Sequence, residues 1–204
     1  MKLLYGPGTC ALGIHVLLEE IGKPYEAQSV NLREGEHTKP PFTDVNPKSK
    51  VPTLVRDDGS VLTEFPAIAY WLARTNPGQK LLPDGFDEQA RVLEAMDFVV
   101  ATLHMQGFSR LFRPTNFSPN ASDEEAVKTR GKEIIEKGFA LLDKQLAGKQ
   151  FVAGTFSVAD CALFYVEFWS GRLGITLPPN LAAHFERMKS RPAVQAALKA
   201  EGLA

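Results

Sequence analysis

The chain has 204 residues, 44% of them hydrophobic and 23% charged, with a net charge of −1: an ordinary balance for a folded protein of one large or two small domains. Near-neutral charge provides no basic field for nucleic acid, and no apolar run approaches the roughly 20 residues needed to span a bilayer, so neither nucleic acid nor membrane is expected as a partner. Two cysteines, Cys10 and Cys161, are too few for a disulfide framework and suit a reducing compartment, so the expected location is cytoplasmic.

The N-terminal Met1–Pro7 is too short an apolar stretch for a signal peptide. Lys2-Leu3-Leu4-Tyr5, stopped by Gly6-Pro7-Gly8, reads as a buried strand entering a tight turn. Thr9 is placed to cap a helix over Ala11–Ile21, which Gly22 ends as a left-handed residue. Tyr25–Val30 is a second strand, and the charged, Pro40-Pro41-containing stretch from Asn31 to Asp44 reads as a surface loop. Asn46–Lys50 approaches Val51-Pro52, after which Thr53–Val55 and Val61–Leu62 form a hairpin across an Asp57-Asp58-Gly59-Ser60 turn. A helix follows from about Glu64 to Arg74, with Pro66 tolerated in its first turn. The crossover helix requires the first two strands to be parallel, and the hairpin adds an antiparallel pair.

Residues 1–76 therefore read as a small α/β domain, 77–86 as a Pro/Gly-rich linker and 87–204 as an all-helical domain. Beyond the linker a long helix is expected from Phe86 to about Arg110 and another from Asp123 to Leu146. Ser157 with Asp160 three residues on resembles a capping box, opening a helix apolar nearly all round that should be this domain's buried centre. Leu181–Lys189 and Ala193–Lys199, split by Pro192, complete the chain.

Four features carry chemistry. Pro52 cannot donate to a ladder, so Val51 should keep its N–H and C=O free for an extended peptide. Glu64 and Phe65, at a helix N-terminus, favour a ligand carboxylate. Cys10, in the first turn of a helix, is expected to have a lowered pKa, and with Gly13 in place of a second cysteine it lacks an internal disulfide partner, which asks for an external thiol. Tyr5 and Thr9 are rival hydroxyls for stabilising a bound thiolate, against their alternatives as core aromatic and helix cap. Phe108, Leu111 and Phe112 are candidates to line an apolar second-substrate pocket or to be core. No His, Cys and acidic grouping has metal-ligand spacing and no phosphate-binding glycine motif is present, so neither metal nor nucleotide is expected.

Taken in order, Pro7-Gly8-Thr9-Cys10, Leu32-Arg33, Asn46-Pro47-Lys48, Val51-Pro52, Leu62-Thr63-Glu64, Phe156–Asp160 and Arg191-Pro192-Ala193-Val194 resemble the cytosolic glutathione transferases, and more narrowly their bacterial beta class. The resemblance implies a thioredoxin-like N-terminal domain, an all-helical C-terminal domain and a homodimer serving detoxification. It implies that Val51, ahead of a cis Pro52, pairs with the cysteinyl backbone of glutathione, that Glu64 and the Phe65 N–H hold the γ-glutamyl end, and that Cys10 hydrogen-bonds the glutathione sulfur or forms a mixed disulfide with it. Ser157 and Asp160 would be structural. Two departures stand out: Phe65 where the family often has serine, and Gly35 where beta-class members can have lysine. Met105 falls where that class can have a histidine, and His104, one place earlier, is carried as a glutathione-site candidate although one residue is about 100° of helix rotation. The expected activity is glutathione transfer to a small apolar electrophile, with disulfide or peroxide chemistry alongside and glutathione as co-substrate. The alternative is a non-catalytic glutathione-binding or interaction protein on the same fold.

Overall fold

A computed structural model describes all 204 residues. They fall into two compact units, Met1–Leu82 with Arg187–Ala204 and Pro83–Glu186, the second of the two boundaries lying inside the helix over Pro179–Lys189.

The first unit is built on a four-stranded sheet. Strands β1 (Lys2–Tyr5), β2 (Glu26–Ser29), β3 (Thr53–Val55) and β4 (Val61–Thr63) are ordered β2-β1-β3-β4. β1 and β2 are parallel across helix α1 (Ala11–Ile21), as the crossover requires, and β3 and β4 pair antiparallel, as the hairpin requires; β3 also pairs antiparallel with β1. The central β1 buries Leu3, Leu4 and Tyr5, whereas the edge strand β2 is exposed at all four residues and polar at three, which protects an open edge from further pairing. α1 starts at Ala11 with Cys10 as its N-cap, one residue later than a Thr9 cap would give, and ends on the left-handed Gly22. The Asn31–Asp44 stretch is mostly loop, with a 3₁₀ turn at Glu36–Thr38 and the one-turn α2 (Phe42–Val45). Helix α3 (Phe65–Thr75) follows β4 directly.

In the second unit the expected single helix from Phe86 is α4 (Phe86–Asp97), then a π-helical segment over Phe98–Phe108, then α5 (Ser109–Phe112). Apolar spacing does not separate a 3.6-residue turn from a wider one, so the sequence could not show this change. α6 (Glu124–Leu146) packs on the π segment at backbone range: a Cβ on Gly131 would lie 2.9 Å from the Gly107 carbonyl oxygen. α7 (Val158–Leu173) is the buried centre of the unit, opened by Ser157, whose N–H and hydroxyl both donate to Asp160 Oδ2. Its carboxylates Asp160 and Glu167 face His184 of α8 (Pro179–Lys189), all three fully buried.

The last helix, α9 (Pro192–Ala200), does not join this helical group. It packs on α1 in the first unit, where Arg191 donates to both oxygens of Glu20 at 2.6 and 3.0 Å. Sequence alone had grouped all of 87–204 together.

Candidate active site

The registers Leu4↔Thr53 and Thr53↔Thr63 bring three segments to one end of the sheet: the loop leaving β1, the residues before β3, and the β4–α3 junction. The first loop is tightly made. Gly6 C=O accepts the N–H and the hydroxyl of Thr9, at 3.1 and 2.7 Å, and Gly8 takes a φ of 68° that a side chain would disfavour. From the far end of the chain Glu201 reaches beneath this loop, accepting the Gly8 N–H at 2.7 Å and His15 Nδ1 at 2.9 Å. Carboxylates only accept, so Nδ1 carries the hydrogen. His15 Nε2 is buried without a partner.

Cys10 keeps some exposed surface, yet the protein atoms around its sulfur push the thiol up to about 12. Burial is the largest cause, and the charges of Glu64 and Glu201 add to it; the N–H groups of Cys10 and Ala11 pull the other way and are outweighed. The expected lowering by a helix N-terminus is therefore corrected. At neutral pH Cys10 is a thiol, and its S–H donates to the Val51 carbonyl at 3.7 Å. This also corrects the expectation for Val51: its N–H has no protein partner, but its C=O is held by Cys10.

The hydroxyls are committed elsewhere. Thr9 donates to Gly6 C=O and accepts the Ala11 N–H at 3.3 Å, making it part of the turn. Tyr5 is buried, its O–H pointed at Ala200 C=O 3.4 Å away and its ring tilted on His15; burial and then Glu201 raise its pKa. Neither holds a free donor for a thiolate.

The Val51–Pro52 peptide is cis. The preceding loop is organised by buried Asn46, whose amide donates to Lys50 C=O and Thr53 Oγ1, both at 2.8 Å, and whose Oδ1 accepts the Lys48 N–H at 3.0 Å. Glu64, the N-cap of α3, has a φ of 71° and ψ of 124°, a conformation side-chain-bearing residues rarely hold unless their surroundings fix it. Its carboxylate pairs with Lys48 Nζ at 2.8 Å. Phe65 is buried at the helix start. Cys10, Val51, Pro52, Glu64 and Phe65 thus share one unit.

His104 lies in the other unit. Its Nδ1 is 3.3 Å from the Tyr165 hydroxyl, and its ring stands edge-on to Trp169 at 4.8 Å. Phe108 is fully buried core, while Phe112 is half-exposed and stacks between Phe108 and Trp169 contacts. Sequence reasoning gave Glu201, His15 and Lys48 no role at this site; Glu201 acts across 193 residues, a distance at which no spacing rule operates.

Residues 8–75 match the family described as "Glutathione S-transferase, N-terminal domain", and residues 125–187 match "Glutathione S-transferase, C-terminal domain". The chain is 36% identical over 208 residues to glutathione S-transferase GstA of Escherichia coli O157:H7, covering 100% of both. The chain belongs to the glutathione S-transferase family. Among solved structures it is similar to a sphingomonad glutathione S-transferase complexed with glutathione, with a TM-score of 0.88, 39% identity and 100% coverage of both chains. A bacterial beta class glutathione S-transferase from Sphingomonas chungbukensis gives 0.87 and 39%, again over both whole chains. The four-stranded unit with its flanking helices is accordingly the thioredoxin-like half of this transferase fold, and the Pro83–Glu186 unit belongs to its helical half.

Proposed function

We propose that this glutathione transferase binds glutathione at the sheet end just described, with Cys10 serving as a neutral hydrogen-bond donor to the ligand's sulfur. The observation that carries the reading is the Cys10–Val51 contact. The Val51 N–H is unpaired and its C=O is held only by a weak S–H donor, so an incoming cysteinyl backbone offers both groups a better amide partner. Losing Val51 C=O frees the Cys10 S–H for the ligand thiolate beside it. A donor to the charged form lowers the ligand thiol's pKa, and the thiolate then attacks a small apolar electrophile. Glu64, with the Phe65 backbone, receives the γ-glutamyl end. A Cys10 thiol near 12 favours this donor role over a mixed disulfide, because the attacking species in disulfide exchange is a thiolate.

Thr9 and Tyr5 act in this reading by shaping the loop, and His104 by ordering the aromatic cluster of its own unit. The division into an α/β domain of about 1–76 and a helical remainder, a homodimeric assembly, a cytoplasmic setting and a detoxifying role are part of the same proposal, supported by the family membership. No step calls for a metal. No helix is long and apolar enough to cross a membrane.

The test compares Cys10→Ala with Cys10→Ser for turnover of an activated aryl halide and for the pKa of bound glutathione, read from thiolate absorbance. Loss of a donor to a charged sulfur corresponds to about tenfold in rate below that pKa, with the pKa rising by about one unit. Serine, which keeps a donor, should lose less. Equal values in wild type and Cys10→Ala would remove Cys10 from the chemistry, and glutathione binding without turnover in wild type would favour a binding protein.

A further inference from the structure

The stretch from Asn31 to Val45 is mostly exposed, and Phe42, in the single turn of α2, is its one buried residue. Phe42 completes a small apolar cluster with Leu4 of β1 and Val30, and Leu32, Val45 and Val51 pack against that cluster. The cluster thus supports the residue whose backbone receives the ligand. A second tie runs through the main chain: Phe42 C=O accepts the Asn46 N–H at 2.8 Å, and Asn46 in turn holds Lys48, Lys50 and Thr53, on either side of Val51. Leu32 reaches the other half of the site, since a Cβ on Gly6, in the turn before Cys10, would meet its Cδ1 at 2.8 Å.

We infer that Phe42 is a positioning residue for glutathione binding: its ring and its carbonyl together fix Val51 where the ligand's cysteinyl backbone can pair with it. Hydrogen bonds weaken steeply when misaligned, so two backbone groups on a loop reward a ligand only if the loop is held beforehand. Asn46 shapes this loop from its polar side, and Val51 seats it on β1 and the end of β2 through the Phe42 cluster. Leu32, not Phe42, serves the Cys10 turn, so Phe42 acts on binding rather than on the ionisation of the ligand's thiol. The inference rests on the glutathione reading and deepens it. Such coupling is reciprocal: if a seated Phe42 improves binding, bound glutathione must keep Phe42 seated by the same factor.

Steady-state kinetics of the whole chain with an activated aryl halide test this in Phe42→Leu, which stays apolar but loses the ring, and in Phe42→Ala. KM for glutathione should rise about threefold in Phe42→Leu and about tenfold in Phe42→Ala, the scale of one or two misdirected hydrogen bonds. At saturating glutathione kcat should stay within about twofold, as for a loss of uniform binding. S-methylglutathione, which keeps the cysteinyl backbone but has no thiol, should bind more weakly by the same factors in calorimetry. Far-UV circular dichroism checks that each variant is folded, and amide exchange in wild type needs no variant at all. Saturating glutathione should slow exchange of the Asn46 N–H, which bonds to Phe42, by about threefold or more. Unchanged KM and S-methylglutathione affinity in a folded variant, or Asn46 exchange indifferent to glutathione, would leave Phe42 a core residue only and overturn the inference. So would a fall in kcat at constant KM. No heat from wild type with glutathione or S-methylglutathione would instead remove the glutathione site itself, and this inference with it.

Discussion

Replacing Glu201 probes the support beneath the Cys10 loop. In Glu201→Ala the Gly8 N–H and His15 Nδ1, now bonded at 2.7 and 2.9 Å, lose their acceptor in a site without solvent access. Removing the acceptor of two buried hydrogen bonds costs about 1–3 kcal/mol each, so a loss of about 2–6 kcal/mol is expected. That is a large share of a typical total of about 5–15 kcal/mol. Glu201→Gln keeps its size and one acceptor, and should lose about 1–3 kcal/mol. Urea unfolding reads these values as a lower midpoint at constant slope. A second readout separates the site from general stability: the Glu201 charge helps to raise the Cys10 thiol, so in Glu201→Gln the alkylation rate of Cys10 should rise at lower pH than in wild type. Burial remains, so the thiol should still titrate above an ordinary cysteine. A loss under about 1 kcal/mol for Glu201→Ala, with an unmoved alkylation profile in Glu201→Gln, would refute the reasoning.

His184, although burial opposes its charge, is raised to about 9 by Glu167 and Asp160, while burial raises Glu167 to about 7. Both folded values lie above the unfolded ones, so the stability each contributes is lost as pH rises through about 7 and then about 9. Denaturation midpoints should fall as pH rises from about 5 to about 9, and a folded His184→Gln variant should show a shallower fall above about pH 6.5; an equal slope there would count against the charged histidine. Ser49 holds a φ of 55°, which favours glycine, so Ser49→Gly should stabilise by about 0.5 kcal/mol in the same assay, and a loss of stability would contradict it. Phe139→Ala, opening a cavity beside Phe108 in the helical unit, should cost about 3–5 kcal/mol by urea unfolding.

Much of this is legible in the sequence. Two of the three strand pairings follow from local signals, a crossover helix for β1 with β2 and an Asp-Gly hairpin for β3 with β4; the pairing of β1 with β3, which sets the strand order, does not. Val51-Pro52 marks the sheet end because a proline interrupts a ladder wherever it falls, and Thr63-Glu64 marks it as the start of a helix. The protonation of Cys10 is not legible, because it depends on how many atoms surround the sulfur and on two carboxylates brought close by folding. The commitment of the Thr9 and Tyr5 protons is hidden likewise: each acceptor is a backbone carbonyl, and every sequence has those everywhere. Pairs such as Lys48–Glu64 and Gly8–Glu201 need the register and the return of α9, which no window of sequence contains.

A crystal structure with glutathione bound tests the central claim most directly. The account predicts that both Val51 backbone groups pair with the cysteinyl residue, and that the Cys10 S–H has left the Val51 carbonyl for the ligand sulfur, at the roughly 4 Å limit of a sulfur hydrogen bond or less. A ligand sulfur out of reach of Cys10, with the Cys10–Val51 contact intact, would contradict it.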